Sequence, residues 1–389
     1  MTKSAAGAPP ASNSGRVEII DCYRLGAAVV VLCFHYFFNG LHNGRLVGVA
    51  PTKFENVAQY GYLGVELFFL ISGFVIMSSA HGRSAGHFAA SRAVRLYPAF
   101  IAGLLLTTVF ILVAGHRSGI SVTPGQLVAN LTMVPQLLGA EPVDGVYWTL
   151  RYEIEFYALV GLMLFFAPRL LERAMPVWAL LMVPVAFLAP ISVQSKPFMG
   201  GYFALFAVGA ILAEIKAAGL NRLRAAGLAA GVVVAVNWGV TAADMQADET
   251  GVPFSHSVVI VLHLIAIALV ALPLVPAISR LSIPGSRMAG ALTYPLYLVH
   301  AFIGYIVMSQ IARVAPDWVA YVVTIAFVVL LAWLLHKFVE EGCASLWKRH
   351  ADRYVRQPIE AIELRWQHRR DRSQRVIAPA WNEGEAGGA

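Results

Sequence analysis

The sequence predicts an all-α membrane protein, a polytopic helical bundle of about ten transmembrane helices with both termini in the cytoplasm. Of its 389 residues, 58% are hydrophobic and 13% are charged, against roughly 25% charged residues in soluble domains. Its mean hydropathy is +0.66. Only helices and closed barrels satisfy their backbone hydrogen bonds in lipid, and the alternating pattern of a barrel strand is absent. A helical bundle is therefore the predicted class.

Ten apolar stretches have the length and composition of membrane-spanning helices. They cover residues 18–38, 60–80, 97–114, 152–168, 176–193, 199–217, 225–243, 255–276, 290–309 and 317–338. Every second connection between them is rich in Lys and Arg, as cytoplasmic loops are. This alternation places both termini in the cytoplasm, as expected for a multi-pass membrane protein.

Three segments follow from this pattern. Residues 1–17, rich in Ala, Ser, Gly and Pro, are predicted to form a disordered cytoplasmic tail. Residues 18–340 form the transmembrane domain, and residues 341–389 form a basic cytoplasmic tail. The net charge of +7 comes from residues between and after the spans, so membrane lipids rather than nucleic acid are the expected partners. The three cysteines show no paired spacing, and no metal site is predicted.

The first span carries three ionisable side chains, Asp21, Arg24 and His35. His35 follows Arg24 by eleven positions, which is about three helical turns. The two side chains therefore share one helix face and lie roughly 16 Å apart in depth. Ionisable groups inside a membrane are costly unless they face a polar interior. This stripe is the strongest functional signal in the sequence.

Other polar side chains lie within or beside the later spans. Glu66 in the second span needs a partner such as an arginine, a histidine or a proton. Trp148 marks the membrane interface or stacks on a sugar ring, and Glu153 begins the fourth span in a polar stripe with Thr149 and Tyr157. His300 lies near mid-depth in the ninth span, where a structural hydrogen bond between helices is the alternative to a functional role.

Two arginines, Arg92 and Arg95, lie one helical turn apart in the basic segment before the third span, followed by Pro98. They face the same way, and guanidinium groups bind phosphates through paired hydrogen bonds. The alternative is that both arginines only set the membrane topology and touch lipid headgroups.

Five motifs occur in a fixed order along residues 17–340. They are Asp21-x-x-Arg24-x10-His35, GYLGVELFFLISGF at 61–74, Arg92-x-x-Arg95-x-x-Pro98, Trp148-Thr149-Leu150-x-x-Glu153-x-x-Phe156-Tyr157, and Tyr294-Pro295-Leu296-Tyr297-Leu298-Val299-His300. Together they resemble the acyltransferase-3 family of integral membrane O-acyltransferases, with Thr149 in place of the commoner Ser. No appended esterase-like domain is recognisable.

The resemblance implies an O-acyltransferase that moves an acyl group, usually acetyl, from a thioester such as acetyl-CoA to a hydroxyl of a glycan or lipid-linked sugar. No metal is implied. The resemblance also implies a bacterial plasma (inner) membrane, and it specifies neither the acceptor's identity nor the oligomeric state.

A mechanism follows as a hypothesis. His35 acts as the base or as an acyl relay, because the pKa of histidine suits proton transfer near neutrality. Glu153 is expected to orient His35 near the outer face, as the carboxylate of a triad does. Arg24 is expected to take part both in catalysis and in CoA binding. Arg92 and Arg95 are expected to bind the CoA phosphates. The residues Asp21, Glu66, Trp148 and His300 would line a substrate passage.

Two other functions are alternatives to the acyltransferase hypothesis. A proton-coupled transporter of a glycan or amphiphile would also need buried charges, but the sequence lacks the internal repeat typical of transporters. A sensor or scaffold that acts through its basic tail would leave the intramembrane charges unexplained.

Overall fold

Helices make up nearly all of the computed structural model, which describes residues 16–366 and contains no strand in that range. We number the principal helices α1 to α12 in chain order. Their bounds are α1 Glu18–Phe34, α2 Leu63–Ala80, α3 Ala85–Ala114, α4 Trp148–Phe166, α5 Leu171–Leu188, α6 Phe203–Ala218, α7 Arg222–Thr250, α8 His256–Ala271, α9 Ser286–Val299, α10 Phe302–Ile311, α11 Asp317–Leu334 and α12 Ala344–Ala351.

Shorter helical turns extend or connect these elements. Three are π-helical, at His35–Asn39, Leu335–Glu341 and Asp352–Arg356. Short α-helices lie at Gly40–His42, Glu55–Ala58, Pro124–Asn130, Ile191–Gln194 and Pro276–Ser279. Turns of 3-10 helix lie at Gln59–Tyr62, Gly115–Ser118, Pro135–Leu138, Gly145–Tyr147, Pro168–Leu170 and Leu272–Leu274. Residues 357–366 are also helical.

A helix occurs at each of the ten predicted positions, but not every helix is long and apolar enough to cross a membrane. Among the described residues, seven helices are long and apolar enough to cross a membrane. The bent pair α9–α10 brings the number to eight if it counts as one span. The helices α4 and α6 fall outside this set. The first half of α4 carries Arg151, Glu153 and Glu155, and α6 has only 16 residues. The chain is an integral membrane protein with seven or eight candidate spans.

Two large apolar clusters form most of the interior of the described residues, beside a smaller third one. One is built mainly from α2, α4, α5 and α6, and the other mainly from α1, α3, α9, α10 and α11. Helix α6 packs closely on α2, because a Cβ on Gly73 or Gly209 would overlap the backbone of the opposing helix. Small residues allow this approach in membrane bundles. The polar residues singled out above lie largely between the two clusters.

The third helix begins earlier than predicted. Helix α3 starts at Ala85, where the Ser84 hydroxyl accepts a hydrogen bond from the backbone N–H of His87, and Pro98 lies inside it. The prediction of a helix start near residue 97 was therefore wrong. Proline cannot donate to the preceding turn, but a helix held by its neighbours tolerates that loss. Arg92 and Arg95 are consequently carried by the same helix that enters the bundle.

The C-terminal segment to residue 366 packs against the start of α3. The Ser84 hydroxyl donates a hydrogen bond of 2.7 Å to the Glu360 carboxylate, and Gly86 contacts the same stretch. The basic tail after residue 366 lies outside the described residues. Residues 1–15 of the predicted N-terminal tail lie outside them as well.

Candidate functional site

His35 is the centre of a polar cluster inside the bundle. Its Nδ1 lies 2.6 Å from the Tyr305 hydroxyl. The Asn39 side-chain amide donates to the same hydroxyl at 3.2 Å and lies 3.2 Å from His35 Nδ1. The ring of His300 meets the ring of His35 edge-on, with 5.0 Å between centroids. The π-helical turn that starts at His35 brings Asn39 into this cluster, and such turns are frequent at functional sites.

A broken helix positions the partners of His35. Helix α9 ends at Val299, and α10 starts at Phe302 after a bend of 71°. His300 lies at the break, where its Nδ1 donates to the carbonyls of Leu296 and Tyr297 at 3.2 and 2.9 Å. Irregular backbone at membrane depth is tolerated where it is buried in protein or lines a cavity. The break therefore places both His300 and Tyr305 against α1.

Asp144 holds this break in place, a role that no sequence motif predicted. The carboxylate is fully buried and accepts hydrogen bonds from the backbone N–H of Val146 at 3.2 Å and of Phe302 at 3.1 Å. It thereby joins the loop before α4 to the first turn of α10. Burial raises the pKa of the Asp144 carboxyl to about 7. The position of an aspartate in a long polar loop gave no signal for this role.

An arginine cluster lies about three helical turns before His35, between α1, α3 and α4. Arg24, Arg92, Arg95 and Glu153 line one cavity of about 280 Å³. Arg92 lies 5.7 Å from the ring centres of both Phe88 and Tyr157. Arg95 Nη2 is buried and has no hydrogen-bonding partner within residues 16–366. Such a donor is available to an anionic ligand.

A small cavity lies between the two clusters. His35, Asn39, Arg45 and Tyr305 line a cavity of about 360 Å³. A constriction of about 50 Å³ adjoins it, since Val65 and Tyr297 line both. The constriction also shares Arg24, Ser72, Arg95 and Glu153 with the arginine cavity. The three spaces therefore form one row along α1, with His35 at one end and Arg24 towards the other.

The structure separates Glu153 from His35, contrary to the expectation that one would orient the other. Glu153 accepts a 2.5 Å hydrogen bond from the Tyr157 hydroxyl and lines the arginine cavity, whereas the polar contacts of His35 are Tyr305 and Asn39. The reason is the depth at which α4 begins. Its first residue, Trp148, lines the His35 cavity, so Glu153, more than one turn later, reaches the level of Arg24.

The remaining predicted residues are divided between the passage and its surroundings. Glu66 lines the His35 cavity and forms an ion pair with His263. Asp21 lies outside the linings of the three cavities, because its carboxylate pairs with Arg16 at 2.7 Å and abuts Gly290. His300 contributes through its ring contact with His35 rather than through the cavity wall.

A second polar cluster lies just after α2. His81, Glu172 and Glu214 bring three possible ligand atoms within 4.8 Å of one another. Arg224 Nη2 lies 3.2 Å from Glu172 and 3.8 Å from the buried Glu214, so this guanidinium supplies positive charge where a cation would bind. The hydrogen bond to Glu214 raises the pKa of His81. The cluster is consistent with an ion-pair network that ties α2, α5, α6 and α7 together.

Comparison with known proteins agrees with the motifs. Residues 17–337 match the family model described as an acyltransferase domain, Acyl_transf_3. The chain is 30% identical over 170 residues to Nodulation protein 10 of Rhizobium leguminosarum bv. viciae. That match covers 39% of this chain and 45% of the relative, so the chain spans less than half of the curated relative it matches. No solved structure matches the chain. Because the family match extends over most of its length, the chain belongs to the acyltransferase-3 family of integral membrane proteins.

Proposed function

We propose that the chain is a membrane O-acyltransferase that moves an acetyl group from acetyl-CoA to a hydroxyl of a glycan or lipid-linked sugar. The observation that carries the proposal is the row of cavities that joins His35 to the arginine cluster. Family membership supports acyl transfer, and the row offers a donor end and an acceptor end for it. A bacterial inner membrane, where surface polysaccharides are modified, is the compartment that fits this reaction.

His35 is the proposed base. When the proton of the imidazole is on Nδ1, it is donated to the Tyr305 hydroxyl, and Nε2 keeps a free lone pair. Nε2 accepts the proton of the acceptor hydroxyl as its oxygen attacks the thioester carbonyl. The carbon–sulfur bond then breaks, and the imidazolium returns the proton to the CoA thiolate. The step breaks one thioester bond and forms one oxygen ester bond, and the proton of the acceptor hydroxyl ends on the CoA thiol, so no net proton is released.

Tyr305 and Asn39 are the proposed positioning residues. The Tyr305 hydroxyl accepts from His35 Nδ1 in this tautomer and from the Asn39 amide. These contacts perform the task that we expected of Glu153, namely to fix the ring and its tautomer. A neutral hydroxyl stabilises the imidazolium less than a carboxylate does, so orientation is the main contribution of Tyr305.

Arg24, Arg92 and Arg95 are the proposed ligands of the CoA phosphates. All three line the arginine cavity, and the unpartnered Nη2 of Arg95 is available to a phosphate oxygen. Glu153 lies among them, where it balances the charge of the arginines and keeps Tyr157 in place. The residues present therefore fit a polyanionic donor at this end.

The narrow constriction favours an enzyme over a transporter. A space of about 50 Å³ separates the two larger cavities. Arg24 and His35 are roughly 16 Å apart along α1, a distance that the extended, uncharged pantetheine arm of CoA is able to bridge. A glycan is wider and richer in hydroxyls than this arm and would need a wider passage. Chemistry at the His35 end with a donor threaded from the Arg24 end is the simpler account.

Acetyl-CoA turnover by the purified protein tests the proposal. We expect slow release of free CoA from the wild type, because water can replace the acceptor, and none from His35→Ala. His42→Ala is the matched control, since His42 pairs with Glu55 at the surface. Full turnover by His35→Ala would remove His35 from the mechanism. A wild type that neither binds nor consumes acetyl-CoA would favour the transporter.

A further inference from the structure

A second acid–base pair lies beside the His35 cavity and has no part in the proposed proton transfer. The side chains of Glu66 on α2 and His263 on α8 are both almost fully buried and form an ion pair. His263 Nδ1 donates to the Val259 carbonyl at 2.9 Å, so Nε2 is the atom that faces Glu66. Gly239 on α7 makes room, because a Cβ there would overlap the imidazole. One oxygen of Glu66 on α2 is thereby paired with His263 on α8, next to α7.

The other oxygen of Glu66 is left without a partner. Glu66 Oε1 is buried and has no hydrogen-bonding partner in the described part of the chain, and the same holds for the Tyr62 hydroxyl. Tyr62 precedes Glu66 by four residues, so the two groups lie one turn apart on the same face. Both line the cavity that contains His35. Because an unsatisfied buried polar group destabilises the folded state, these atoms are suited to a ligand.

The rest of the lining indicates the chemistry of that ligand. Aromatic side chains and amides surround the space, among them Trp148, Tyr202, Phe302, Asn43 and Gln246. Its charged members are the carboxylates of Glu66 and Glu249 and the guanidinium of Arg45, which lies over the Phe302 ring at 4.7 Å. Carboxylate oxygens accept hydrogen bonds from hydroxyls and repel anions. A volume of about 360 Å³ is within the range of small-molecule sites.

We infer that Tyr62 and the Glu66–His263 pair form an acceptor-recognition subsite for a neutral saccharide. The subsite binds one hydroxyl of the sugar through Glu66 Oε1 and the Tyr62 hydroxyl while His35 acts on another. The inference rests on the proposed function for the identity of the reacting hydroxyl. It adds that the acceptor sugar is uncharged at this position, because two of the three charged side chains in the lining, Glu66 and Glu249, would repel the carboxylate of a uronic acid.

The test uses the full chain in a detergent without a sugar head group. Binding of methyl β-D-glucopyranoside and of glucuronic acid is measured by tryptophan fluorescence, since Trp148 lines the site. We expect the wild type to bind the glucoside at least tenfold more tightly than the glucuronate. Tyr62→Phe and Glu66→Gln should each weaken glucoside binding about tenfold. Tyr60→Phe is the control, because the Tyr60 hydroxyl bonds to the backbone of Ser255 and lies outside the cavity lining.

Acetyl-CoA hydrolysis by the same samples separates this inference from the proposed function. Tyr60→Phe should hydrolyse acetyl-CoA as fast as the wild type, because Tyr60 lies outside the cavity lining. Wild-type glucoside affinity in Tyr62→Phe, equal affinity for the glucuronate, or no binding of the glucoside by the wild type would each overturn the subsite. Selective glucoside binding without any acetyl-CoA turnover would keep the subsite and contradict the acyltransferase proposal.

Discussion

The Tyr305 hydroxyl lies 2.6 Å from His35 Nδ1, although 270 positions separate the two residues in the chain. The contact depends on the bend between α9 and α10 and on the π-helical turn at His35–Asn39. It gives the proposed base a fixed partner of the kind that general bases in enzymes require. A tyrosine takes the position that a carboxylate holds in a hydrolase triad.

Replacing Tyr305 by Phe removes the hydroxyl and keeps the ring. We expect the turnover rate to fall roughly 10- to 100-fold, because His35 loses the group that fixes its tautomer, within the range of general-base effects. The KM for acetyl-CoA should not change, since the donor phosphates bind at the other end of the row. Steady-state kinetics of CoA release give both values.

The control for that substitution is Tyr321→Phe. The Tyr321 hydroxyl has no hydrogen-bonding partner in the described residues, and its ring stacks on Phe37 at 4.5 Å. This variant should retain wild-type turnover. A rise in the KM for acetyl-CoA in Tyr305→Phe, with an unchanged turnover rate, would show that Tyr305 does not act through His35.

Arg95→Gln tests the donor end. Charge-assisted hydrogen bonds contribute about 1.5–3 kcal/mol each, so the KM for acetyl-CoA should rise roughly 10- to 100-fold while the turnover rate at saturation stays close to that of the wild type. The exposed Arg173 provides a control in Arg173→Gln. An unchanged KM in Arg95→Gln would mean that the CoA phosphates bind elsewhere.

Asp144 predicts a pH dependence of stability. Its folded pKa of about 7 lies above the ordinary value of 3.8, so between these values the folded state binds more protons than the unfolded state. The contribution of Asp144 to the free energy of unfolding is therefore largest below about pH 4 and decreases as the pH rises to about 7. Thermal unfolding of the purified protein at pH 5 and at pH 8 should show a lower midpoint at pH 8.

Asp144→Asn isolates this effect from that of other titrating groups. The variant should unfold more readily at both pH values. The Asn amide has one accepting oxygen in place of two, so one backbone N–H loses its partner, which lowers the free energy of unfolding by about 1–3 kcal/mol. The difference between the two pH values should shrink relative to the wild type. An equal pH difference in both proteins would assign the effect to another group.

Local patterns predicted the parts of the site that lie on single helices. The helical repeat placed Arg24 and His35 on one face, and the structure shows both lining the row of cavities. The same repeat grouped Thr149, Glu153 and Tyr157, and the Tyr157 hydroxyl does bond to Glu153. These relations depend on a few turns of one helix, which the sequence specifies directly.

Contacts between distant segments were beyond the reach of those patterns. The partner of Glu66 is His263, and the partner of His35 is Tyr305. Neither pair has a spacing in the sequence that predicts the contact. Glu153 was placed at the wrong end because the start of α4 was taken as the membrane surface. The buried loop residues Asp144 and Tyr147 show that this helix starts inside the protein.

The most direct test of the account feeds deuterated acetyl-CoA to membranes that contain the wild type or His35→Ala, followed by mass spectrometry of the extracted glycans. We predict a labelled acetyl ester on a glycan with the wild type and none with His35→Ala, when both proteins are present in equal amounts and bind CoA. The same labelled ester in His35→Ala membranes would contradict the assignment of His35 as the base.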